Sequence, residues 1–399
     1  MKLFPNLVKG VTESLQFIFE KNYQADKVLD YLFKGNPKWG ARDRAFVAES
    51  VYDMVRSWRK LWAIYENEIT FHEPKLMRLF AIYWLLKGND LPPWEEFKGI
   101  DKKYIFDKAK QNFPRAIEFS LHDELDEIGY VELGEQWEKE LAAMNQPANI
   151  VLRTNTLKTT KRELQKALQR DDILTLPVDE AHDALVLNER KNVFAHPLFK
   201  QGHFEVQDAG SQMIAQFLDI QPGMRVIDAC AGAGGKALHI AALMENKGRI
   251  VAMDVEEKKL AEMRQRARRN GVSIIETKLI ESSKTIKRLK DTADRLLMDV
   301  PCSGTGVMKR NPDAKYRIDK KFIERLLITQ QDILQRYSQM LKQKGLMVYA
   351  TCSLLPSENK MQVEKFLKAN ANFELIDEKT LYPSAFGFDG FYMARLRKN

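Results

Sequence analysis

Hydrophobic residues recur along the chain with a spacing that changes near Gly134. Upstream of that point they return every three or four residues, as Val47, Val51 and Met54 do, which is the spacing of an amphipathic helix. Breaks rich in Asn, Asp and Pro separate the helical stretches. The pattern predicts an all-α N-terminal domain over residues 1–133.

A mixed pattern covers residues 134–205. Residues 150–158 predict a strand that runs into a turn, and short apolar runs at 173–174 and 184–187 predict two more strands. A helix through Leu164 is predicted between the first strand and the second. Strands alternating with a helix over roughly 70 residues predict a small α+β module, which is the size of an accessory domain.

The pattern becomes regular from about residue 222 to the end of the chain, where apolar strands alternate with amphipathic helices. The predicted strands are residues 226–227, 250–253, 274–275, 296–298, 346–350 and 390–396, and the predicted helices are residues 236–243, 256–270, 322–341 and 358–367. Such alternation predicts an α/β domain of the Rossmann-like, doubly wound type with a mostly parallel sheet. Sheets of this kind bind their ligands beyond the carboxyl ends of the strands.

Composition narrows the class of protein. A chain of 399 residues that is 44% hydrophobic and 30% charged has enough apolar side chains for more than one core. Its longest apolar run, residues 79–86, is much shorter than the roughly 20 residues that cross a bilayer, and no secretory signal is evident. Three cysteines, an odd number, argue against a disulfide framework and for the reducing cytoplasm. We therefore expect a cytoplasmic protein with no membrane partner, and we take a monomer as the default expectation, since the sequence does not determine the oligomeric state.

Net charge favours a polyanionic partner. The charge of +8 and the isoelectric point near 9.1 suit nucleic acid, although many soluble proteins are mildly basic without such a partner. Basic residues concentrate at 264–269, at 284–290 and in the groups Lys309–Arg310 and Lys315–Arg317. The last two groups directly follow the loop that contains Pro301 and Cys302. We therefore expect them to contact phosphates beside a target base.

A glycine-rich turn joins a predicted strand to a predicted helix at residues 228–236, Asp-Ala-Cys-Ala-Gly-Ala-Gly-Gly-Lys. Residues 232–237 fit the pattern G-x-G-x-x-A, and Asp254 ends the next strand. Glycines let the backbone approach a ligand, and the acid can accept hydrogen bonds from ribose hydroxyl groups. The turn therefore predicts a site for a dinucleotide or for S-adenosylmethionine. It is no phosphate-binding P-loop, because Cys230 and Ala237 stand where that motif needs glycine and a hydroxyl residue.

Two further cysteines follow predicted strands. Cys302 stands in the loop Asp-Val-Pro-Cys-Ser-Gly-Thr-Gly of residues 299–306, and Cys352 follows the strand 346–350 in Ala-Thr-Cys-Ser. Because the carboxyl ends of parallel strands meet at one edge of a sheet, we expect both thiols beside the glycine-rich turn. Cys230, inside that turn, is interpreted as a compact residue that shapes the loop. The sequence has no C-x-x-C pair and no ligand-like spacing of histidines, so we expect no metal site.

Two thiols and an aspartate around a cofactor pocket suit methylation of carbon 5 of a pyrimidine. A thiolate that adds to carbon 6 makes carbon 5 nucleophilic enough to attack a sulfonium methyl group, and the thiol leaves after carbon 5 loses its proton. Asp299 would stabilise the charge that develops on the ring, and Lys236 would reach the substrate or help to hold a thiolate. The residues alone do not decide which thiol attacks.

These motifs resemble the RsmB-like (NOP/Sun) family of RNA cytosine-5 methyltransferases. The resemblance rests on residues 228–236, 299–306 and 350–353, with further similar motifs at 153–158, 206–212 and 389–396. It extends from about residue 136 to the end of the chain. The segment Arg42–Arg44 resembles the NusB-like domain of bacterial ribosomal-RNA members.

The resemblance implies an S-adenosylmethionine-dependent enzyme that forms 5-methylcytosine in small-subunit ribosomal RNA, with transfer RNA as the alternative substrate. It also implies a division of the chain. Residues 1–133 would form a helical NusB-like RNA-binding domain, residues 134–205 an accessory RNA-binding module, and residues 206–399 the methyltransferase catalytic domain.

The family roles transfer to individual residues. Cys352 would attack the cytosine, Cys302 would help to release the methylated product, and Asp299 and Lys236 would support the reaction. The cofactor would be held by the glycine-rich turn and two strand ends, that is by Cys230, Ala231, Gly232, Ala233, Gly234, Gly235, Lys236, Asp254 and Asp299. The family carries an acid after the third strand that contacts the adenine side of the cofactor, and Glu281 is its candidate counterpart here.

Two other classes of protein are compatible with parts of the sequence. A dinucleotide-dependent oxidoreductase would use the glycine-rich turn but would leave both cysteine motifs without a role. A non-catalytic RNA-binding scaffold would keep the fold but would not need intact Asp299, Cys302 and Cys352. A base must be unstacked to reach two thiols, so an RNA substrate is expected to present a flipped or single-stranded cytosine.

Overall fold

The computed structural model describes residues 3–399 of the chain. The chain forms two compact units. The first, here called the helical unit, consists of Met1–Asn145 and Met308–Lys320, and the second, the sheet unit, consists of Gln146–Val307 and Lys321–Asn399. The chain therefore leaves the sheet unit soon after Cys302 and returns to it at Lys321.

Helices that pack through their apolar faces build the helical unit. Across residues 3–145 they are α1 (Pro5–Phe19), α2 (Ala25–Gly35), α3 (Ala41–Arg56), α4 (Trp58–Tyr65), α5 (Glu73–Leu86), α6 (Lys102–Ala109), α7 (Arg115–Glu118), α8 (Asp123–Leu133) and α9 (Glu135–Met144). The side chains of Val47, Val51 and Met54 are fully buried in their common core. The predicted all-α region is confirmed, and the expected boundary at residue 133 falls between α8 and α9. No helix within residues 3–399 has the length and apolar character that a membrane crossing requires.

The segment Arg42–Arg44 lies at the start of α3, where its side chains serve the helix. Asp43 Oδ2 accepts a hydrogen bond from the backbone N–H of Gly40 at 3.1 Å, which satisfies a donor at the helix start. Arg44 Nε donates to the carbonyl oxygen of Trp39 at 3.0 Å. A contact of this segment with RNA stays a prediction.

A buried lysine anchors the segment Met308–Lys320 in the helical unit. Lys315 is 3% exposed, and its ammonium group donates hydrogen bonds to the carbonyl oxygens of Arg56 and Phe119 at 2.6 and 2.8 Å. A third hydrogen bond goes to Oδ1 of Asn145 at 3.1 Å. Burial, and then the Arg56 guanidinium, hold the pKa of Lys315 well below its ordinary value. The expected phosphate contact of Lys315 is therefore wrong, because a buried amine bonded to three oxygens does not reach RNA.

The residues after Lys315 are bound in the same way. The Tyr316 hydroxyl donates to the carbonyl oxygen of Val55 at 2.7 Å, and Arg317 Nη2 donates to the carbonyl oxygen of Tyr23 at 2.7 Å. Sequence alone indicated only a cationic loop, because these acceptors lie far away along the chain.

The sheet unit begins with a four-stranded antiparallel sheet in the order β2-β3-β1-β4. Its elements are β1 (Val151–Thr154), α10 (Lys161–Arg170), β2 (Thr175–Pro177), β3 (Ala184–Leu187), α11 (Pro197–Lys200) and β4 (Phe204–Val206). The predicted α+β module is confirmed. The strand expected at residues 173–174 starts at Thr175 instead.

A seven-stranded sheet in the order β10-β11-β9-β8-β5-β6-β7 forms the rest of this unit. The strands are β5 (Arg225–Asp228), β6 (Arg249–Asp254), β7 (Ile275–Leu279), β8 (Ala293–Asp299), β9 (Leu341–Thr351), β10 (Phe373–Leu381) and β11 (Phe391–Lys398). The helices are α12 (Ala209–Phe217), α13 (Gly235–Leu243), α14 (Glu257–Asn270), α15 (Ser283–Lys287), α16 (Lys320–Tyr337), α17 (Lys360–Ala369) and α18 (Pro383–Phe386). Strands β5 to β9 pair in parallel, and β10 and β11 are antiparallel at one edge. The predicted doubly wound, mostly parallel sheet is confirmed.

The order of the strands reverses between β5 and β8. From β5 the chain proceeds outward through β6 and β7 and then returns to β8 and β9 on the other side. Asp228 pairs with Leu297, and Asp299 pairs with Ala350. The carboxyl ends of β5, β8 and β9 therefore meet next to this reversal, which is where sheets of this type bind ligands.

Two elements differ from the sequence-based expectation. Helix α16 ends at Tyr337, and Leu341, expected to be helical, opens β9 after a short 3₁₀ turn. Strand β10 was not predicted, because polar residues occupy four consecutive positions, 377–380, and buried side chains stand only at its two ends. An edge strand of this kind lacks the apolar alternation from which strands are recognised.

Replacing Lys315 with Met should destabilise the helical unit, because it leaves buried carbonyl oxygens without a donor. We expect the free energy of unfolding to fall by about 2–3 kcal/mol in urea denaturation followed by tryptophan fluorescence. That signal reports on this unit alone, since all six tryptophans belong to it: Trp39, Trp58, Trp62, Trp84, Trp94 and Trp137. Lys320→Met, at an exposed position of the same segment, should change the value by less than about 0.5 kcal/mol. A Lys315→Met protein as stable as wild type would contradict the anchoring role.

Candidate active site

Two glycines with left-handed backbone shape the turn between β5 and α13. Gly232 has φ 54° and Gly234 has φ 86°, values that residues with a side chain rarely adopt. A Cβ atom on Gly234 would lie 2.3 Å from Cγ of Met263, whereas a Cβ on Gly232 would meet no described atom within 4 Å beyond its chain neighbours. Gly234 therefore permits close packing of α14, and Gly232 borders open space that a ligand can occupy.

Asp254, at the end of β6, fixes the turn. Its Oδ2 accepts a hydrogen bond from the backbone N–H of Gly232 at 2.8 Å, and its Oδ1 accepts one from the N–H of Glu256 at 2.9 Å. Each carboxylate oxygen can accept a second hydrogen bond. Asp254 thus lies beside the turn, as predicted from its position in the sequence, and retains capacity for a ligand hydroxyl group.

Lys236 and Asp299 form an ion pair between α13 and the end of β8. Nζ of Lys236 lies 2.6 Å from Oδ2 of Asp299 and 5.6 Å from the centre of the Phe391 ring. Burial lowers the pKa of Lys236, but the Asp299 carboxylate more than offsets this effect, and the pKa is raised above its ordinary value. The ammonium group is therefore charged at neutral pH.

The two predicted strand-end thiols meet. Sγ of Cys302 lies 3.3 Å from Sγ of Cys352, and the backbone N–H of Cys352 donates to Sγ of Cys302 at 3.2 Å. The N–H of Gly306 donates to the carbonyl oxygen of Cys352 at 2.9 Å. The loop after β8 is thus bonded to the end of β9 on both sides of the sulfur contact.

The surroundings of the two thiols differ. The contact with Cys352, burial and the Glu358 carboxylate raise the pKa of Cys302 well above its ordinary value, so Cys302 keeps its proton at neutral pH. The Lys236 ammonium interacts electrostatically with Cys352. The pair therefore combines a neutral thiol with one that lies near a positive charge.

Asp228, at the end of β5, carries an unpaired buried carboxylate. It is 1% exposed, and neither oxygen makes a hydrogen bond of good geometry with a described residue. Burial, and then the Asp299 carboxylate, raise the pKa of Asp228 to about 7, although the backbone of Cys230 is close enough to lower this pKa slightly. A buried polar group without a partner is costly, and a cationic ligand group would offset that cost.

A cleft of about 420 Å³ opens beside the turn. Turn, strand-end and α16 residues line it, among them Cys230, Gly232, Asp254, Ile280, Asp299 and Tyr337. The open side of Gly232 and the strand-end acids Asp254 and Asp299 fit a ligand with ribose hydroxyl groups and positive charge, as S-adenosylmethionine has. Within residues 3–399, no group of three or more His, Cys, Asp or Glu side chains is arranged to hold a metal ion.

Cys230 and Glu281 are the two remaining positions that the sequence placed near the cofactor. Burial, and then the carboxylates of Asp228 and Asp299, raise the pKa of Cys230 well above its ordinary value, so this thiol is not a nucleophile at neutral pH. Glu281 is exposed and is absent from the cleft lining, to which Ile280 contributes instead. A contact of Glu281 with the cofactor stays a prediction.

Two arginines of the basic stretch at residues 264–269 form ion pairs within the protein. Arg266 and Arg269 of α14 both pair with the buried carboxylate of Glu205. Arg269 also stacks over the Phe199 ring, with Cζ 4.2 Å from its centre. These arginines stabilise the contact between α14 and the accessory module, so they are poor candidates for binding phosphate.

Glu358 is the residue near the thiols that sequence reasoning missed. It is fully buried and accepts hydrogen bonds from Ser303 and Ser353. The available signal was the repeated Cys-Ser pair, because Cys302 and Cys352 are each followed by a serine. Nothing in either pair points to an acid as the shared partner.

Comparisons with known proteins agree with the resemblance in the motifs. Residues 215–397 match the family described as 16S rRNA methyltransferase RsmB/F, and residues 130–194 match the ferredoxin-like domain described as RsmF/B-like. The chain is 30% identical to the probable ribosomal RNA small subunit methyltransferase B of Synechocystis, over 96% of this chain and 97% of that protein. It is 34% identical to the ribosomal RNA small subunit methyltransferase B of Vibrio cholerae, over 90% of both.

A solved structure has a similar fold. The methyltransferase homolog protein from Pyrococcus horikoshii aligns with a TM-score of 0.64 and 28% identity, over 71% of this chain and 98% of that one. The predicted family and enzyme class are confirmed by these similarities. With related sequence over nearly its whole length, this chain belongs to the RsmB/F family of 16S rRNA methyltransferases.

Proposed function

We propose that this protein methylates carbon 5 of a cytosine in small-subunit ribosomal RNA, with S-adenosylmethionine as the methyl donor. The observation that carries the proposal is the 3.3 Å contact between the sulfur atoms of Cys302 and Cys352. A dinucleotide-dependent oxidoreductase would leave this pair unused. The relatives from Synechocystis and Vibrio cholerae are named as methyltransferases of the small ribosomal subunit RNA, which supports this choice of substrate.

The cleft beside the glycine-rich turn is the proposed cofactor site. Gly232 leaves room for the ligand, Asp254 can accept hydrogen bonds from ribose hydroxyl groups, and Asp228 suits a positive charge. The other members of the proposed set are Cys230, Ala231, Ala233, Gly234, Gly235, Lys236 and Asp299. Bound there, S-adenosylmethionine would supply the sulfonium methyl group that the activated base attacks.

Cys352 is the proposed nucleophile. Its thiolate forms a bond from Sγ to carbon 6 of the cytosine, and the electrons of the ring double bond then make carbon 5 nucleophilic. Cys352 interacts electrostatically with the Lys236 ammonium, which supports its assignment as the attacking group. Lys236 and its partner Asp299 are also proposed to face the ring edge, where the ammonium offsets the negative charge that thiolate addition places on the ring.

Cys302 is the proposed group for product release. After methyl transfer, carbon 5 loses its hydrogen as a proton to a base, the bond from carbon 6 to Sγ of Cys352 breaks, and its electron pair returns to the sulfur. Cys302 holds a proton at neutral pH and lies 3.3 Å from that sulfur. It can therefore donate its proton to the leaving thiolate.

The regions before the catalytic domain are proposed to bind RNA. These are the NusB-like domain, residues 1–133, and the accessory module, residues 134–205, with catalysis in residues 206–399.

The helical unit contains equal numbers of basic and acidic residues, so the net charge of +8 falls in the sheet unit. We therefore propose phosphate contacts mainly there, where Lys284 and Lys287 are exposed. The enzyme is proposed to act as a cytoplasmic monomer.

Bisulfite sequencing of total RNA from a strain that lacks the gene tests the substrate. One cytosine of small-subunit ribosomal RNA that resists conversion in the parent strain should become convertible, and expression of the gene from a plasmid should restore the resistance. Loss of resistance at a transfer RNA cytosine alone would contradict the ribosomal substrate. Unchanged conversion in every RNA would contradict the methyltransferase proposal as a whole.

Alanine variants of the two cysteines test the division of roles. Cys352→Ala should abolish methylation, because the base is no longer activated. Cys302→Ala should accumulate a covalent protein–RNA complex, because the leaving thiolate lacks its proton donor, and the complex should migrate slowly in a denaturing gel. Full activity of Cys352→Ala, with no complex from Cys302→Ala, would show that the roles are assigned wrongly.

The stability of an Asp228→Asn variant should depend on pH differently from wild type. Because the folded-state pKa of about 7 exceeds the ordinary value, folding takes up a proton near pH 5, and wild type loses stability as pH rises through 7. Relative to wild type, Asp228→Asn should gain roughly 2–3 kcal/mol between pH 5 and pH 8 without cofactor. Chemical denaturation at the two pH values measures this gain, and an equal difference at both would contradict a buried, unpaired carboxylate.

A further inference from the structure

A buried carboxylate lies behind the two thiol-bearing loops. Glu358 ends the short 3₁₀ helix Pro356–Glu358 after β9 and is 0% exposed. Its Oε1 accepts hydrogen bonds from the backbone N–H of Ser303 at 2.8 Å and from Nε2 of Gln330 at 3.0 Å. Its Oε2 accepts hydrogen bonds from the hydroxyl groups of Ser303 and Ser353. One carboxylate therefore receives four hydrogen bonds.

Three of these four donors belong to residues that adjoin the thiols. Ser303 directly follows Cys302, and Ser353 directly follows Cys352. The fourth donor, Gln330 of α16, also donates to the carbonyl oxygen of the residue before Cys302 at 3.0 Å. The carboxylate thus fixes both loops within one residue of the sulfur atoms.

The same network joins the two loops through a hydroxyl group. Thr305 Oγ1, on the Cys302 loop, lies 3.1 Å from Ser353 Oγ and accepts a hydrogen bond from the backbone N–H of Leu354 at 2.9 Å. Loss of one acceptor from a buried network of this kind is costly, because several donors are then left without a partner. Glu358 supplies the two acceptor oxygens that orient its four donors.

We propose that Glu358 is the positioning residue that sets the distance between the sulfur atoms of Cys302 and Cys352. The inference rests on the proposed function, since that distance matters only if one thiol attacks the base and the other assists its release. A displacement of about 1 Å at a reacting group costs about 100-fold in rate. Glu358 acts through Ser303 and Ser353 and has no contact with the substrate in this account.

Glu358→Gln tests the positioning role, because the amide keeps the size of the side chain but loses its charge and one acceptor atom. We expect kcat to fall about 100-fold, with KM for RNA and Kd for S-adenosylmethionine within about 3-fold of wild type. A role in stability alone predicts a lower melting temperature with unchanged kcat wherever the protein is folded.

Asp294→Asn is the matched control. Asp294 accepts hydrogen bonds from the backbone N–H of Arg225 at 2.8 Å and from Lys342 Nζ at 2.6 Å. It therefore ties β5, β8 and β9 together at their amino ends, at the opposite edge of the sheet from the thiols. Its kcat should stay within about 3-fold of wild type at a temperature where the variant is folded.

A thiol crosslinker gives a readout that does not require RNA. Dibromobimane joins two sulfur atoms only when they lie within a few ångströms of each other, and peptide mass spectrometry identifies the Cys302–Cys352 product. Wild type and Asp294→Asn should form this crosslink at similar rates. Glu358→Gln should form it at least about 10-fold more slowly, because the loops are no longer held together.

The two assays separate this inference from the proposed function. If wild type forms the crosslink but methylates no RNA, and Glu358→Gln crosslinks slowly, the proposed function fails and the positioning role stands. If Glu358→Gln crosslinks and turns over like wild type, the positioning role is overturned. Should Glu358→Gln not fold, the double variant Ser303→Ala/Ser353→Ala removes both hydroxyl donors. Slow crosslinking of that variant supports the role, and a wild-type rate overturns it.

Discussion

The parallel alignment of β5, β8 and β9 is the constraint on which the site depends. Because these neighbouring strands run in the same direction, their carboxyl ends open onto one edge of the sheet, and Cys302 and Cys352 follow two of them closely. A shift of one residue in the register of β9 would turn its side chains to the opposite faces and would carry Cys352 away from its partner. The sheet thus brings the thiols near each other, and the hydrogen bonds between the loops, centred on Glu358, hold them in contact.

Electrostatic surroundings then give different properties to groups of the same type. At three strand ends, Asp228 is buried without a partner, Asp254 is bonded to backbone amides, and Asp299 is paired with Lys236. The same is true of the thiols, since Cys302 is held in its protonated form whereas Cys352 lies near an ammonium group. Carboxylates and thiols at one sheet edge therefore differ in charge state and hydrogen bonding, because burial and pairing differ from atom to atom.

The sequence could predict what local patterns determine. Alternating strands and helices indicated the parallel sheet, and that sheet explains why Cys302 and Cys352 could be expected together. Glu358 could not be predicted, because an acid in a short turn is usually exposed, and its burial depends on Ser303, which is 55 positions away. Lys315 was misjudged for the same reason, since its acceptor on Arg56 is 259 positions away. Long-range partners, rather than local sequence, decide what these two charged side chains do.

A crystal structure of the protein with S-adenosylhomocysteine tests the central claim most directly, with the sulfur atoms located by anomalous diffraction. The account predicts that the sulfur atoms of Cys302 and Cys352 lie within about 4 Å of each other and that the ligand occupies the cleft beside Gly232 and Asp254. Thiols separated by a packed side chain, or a ligand bound away from the glycine-rich turn, would contradict it.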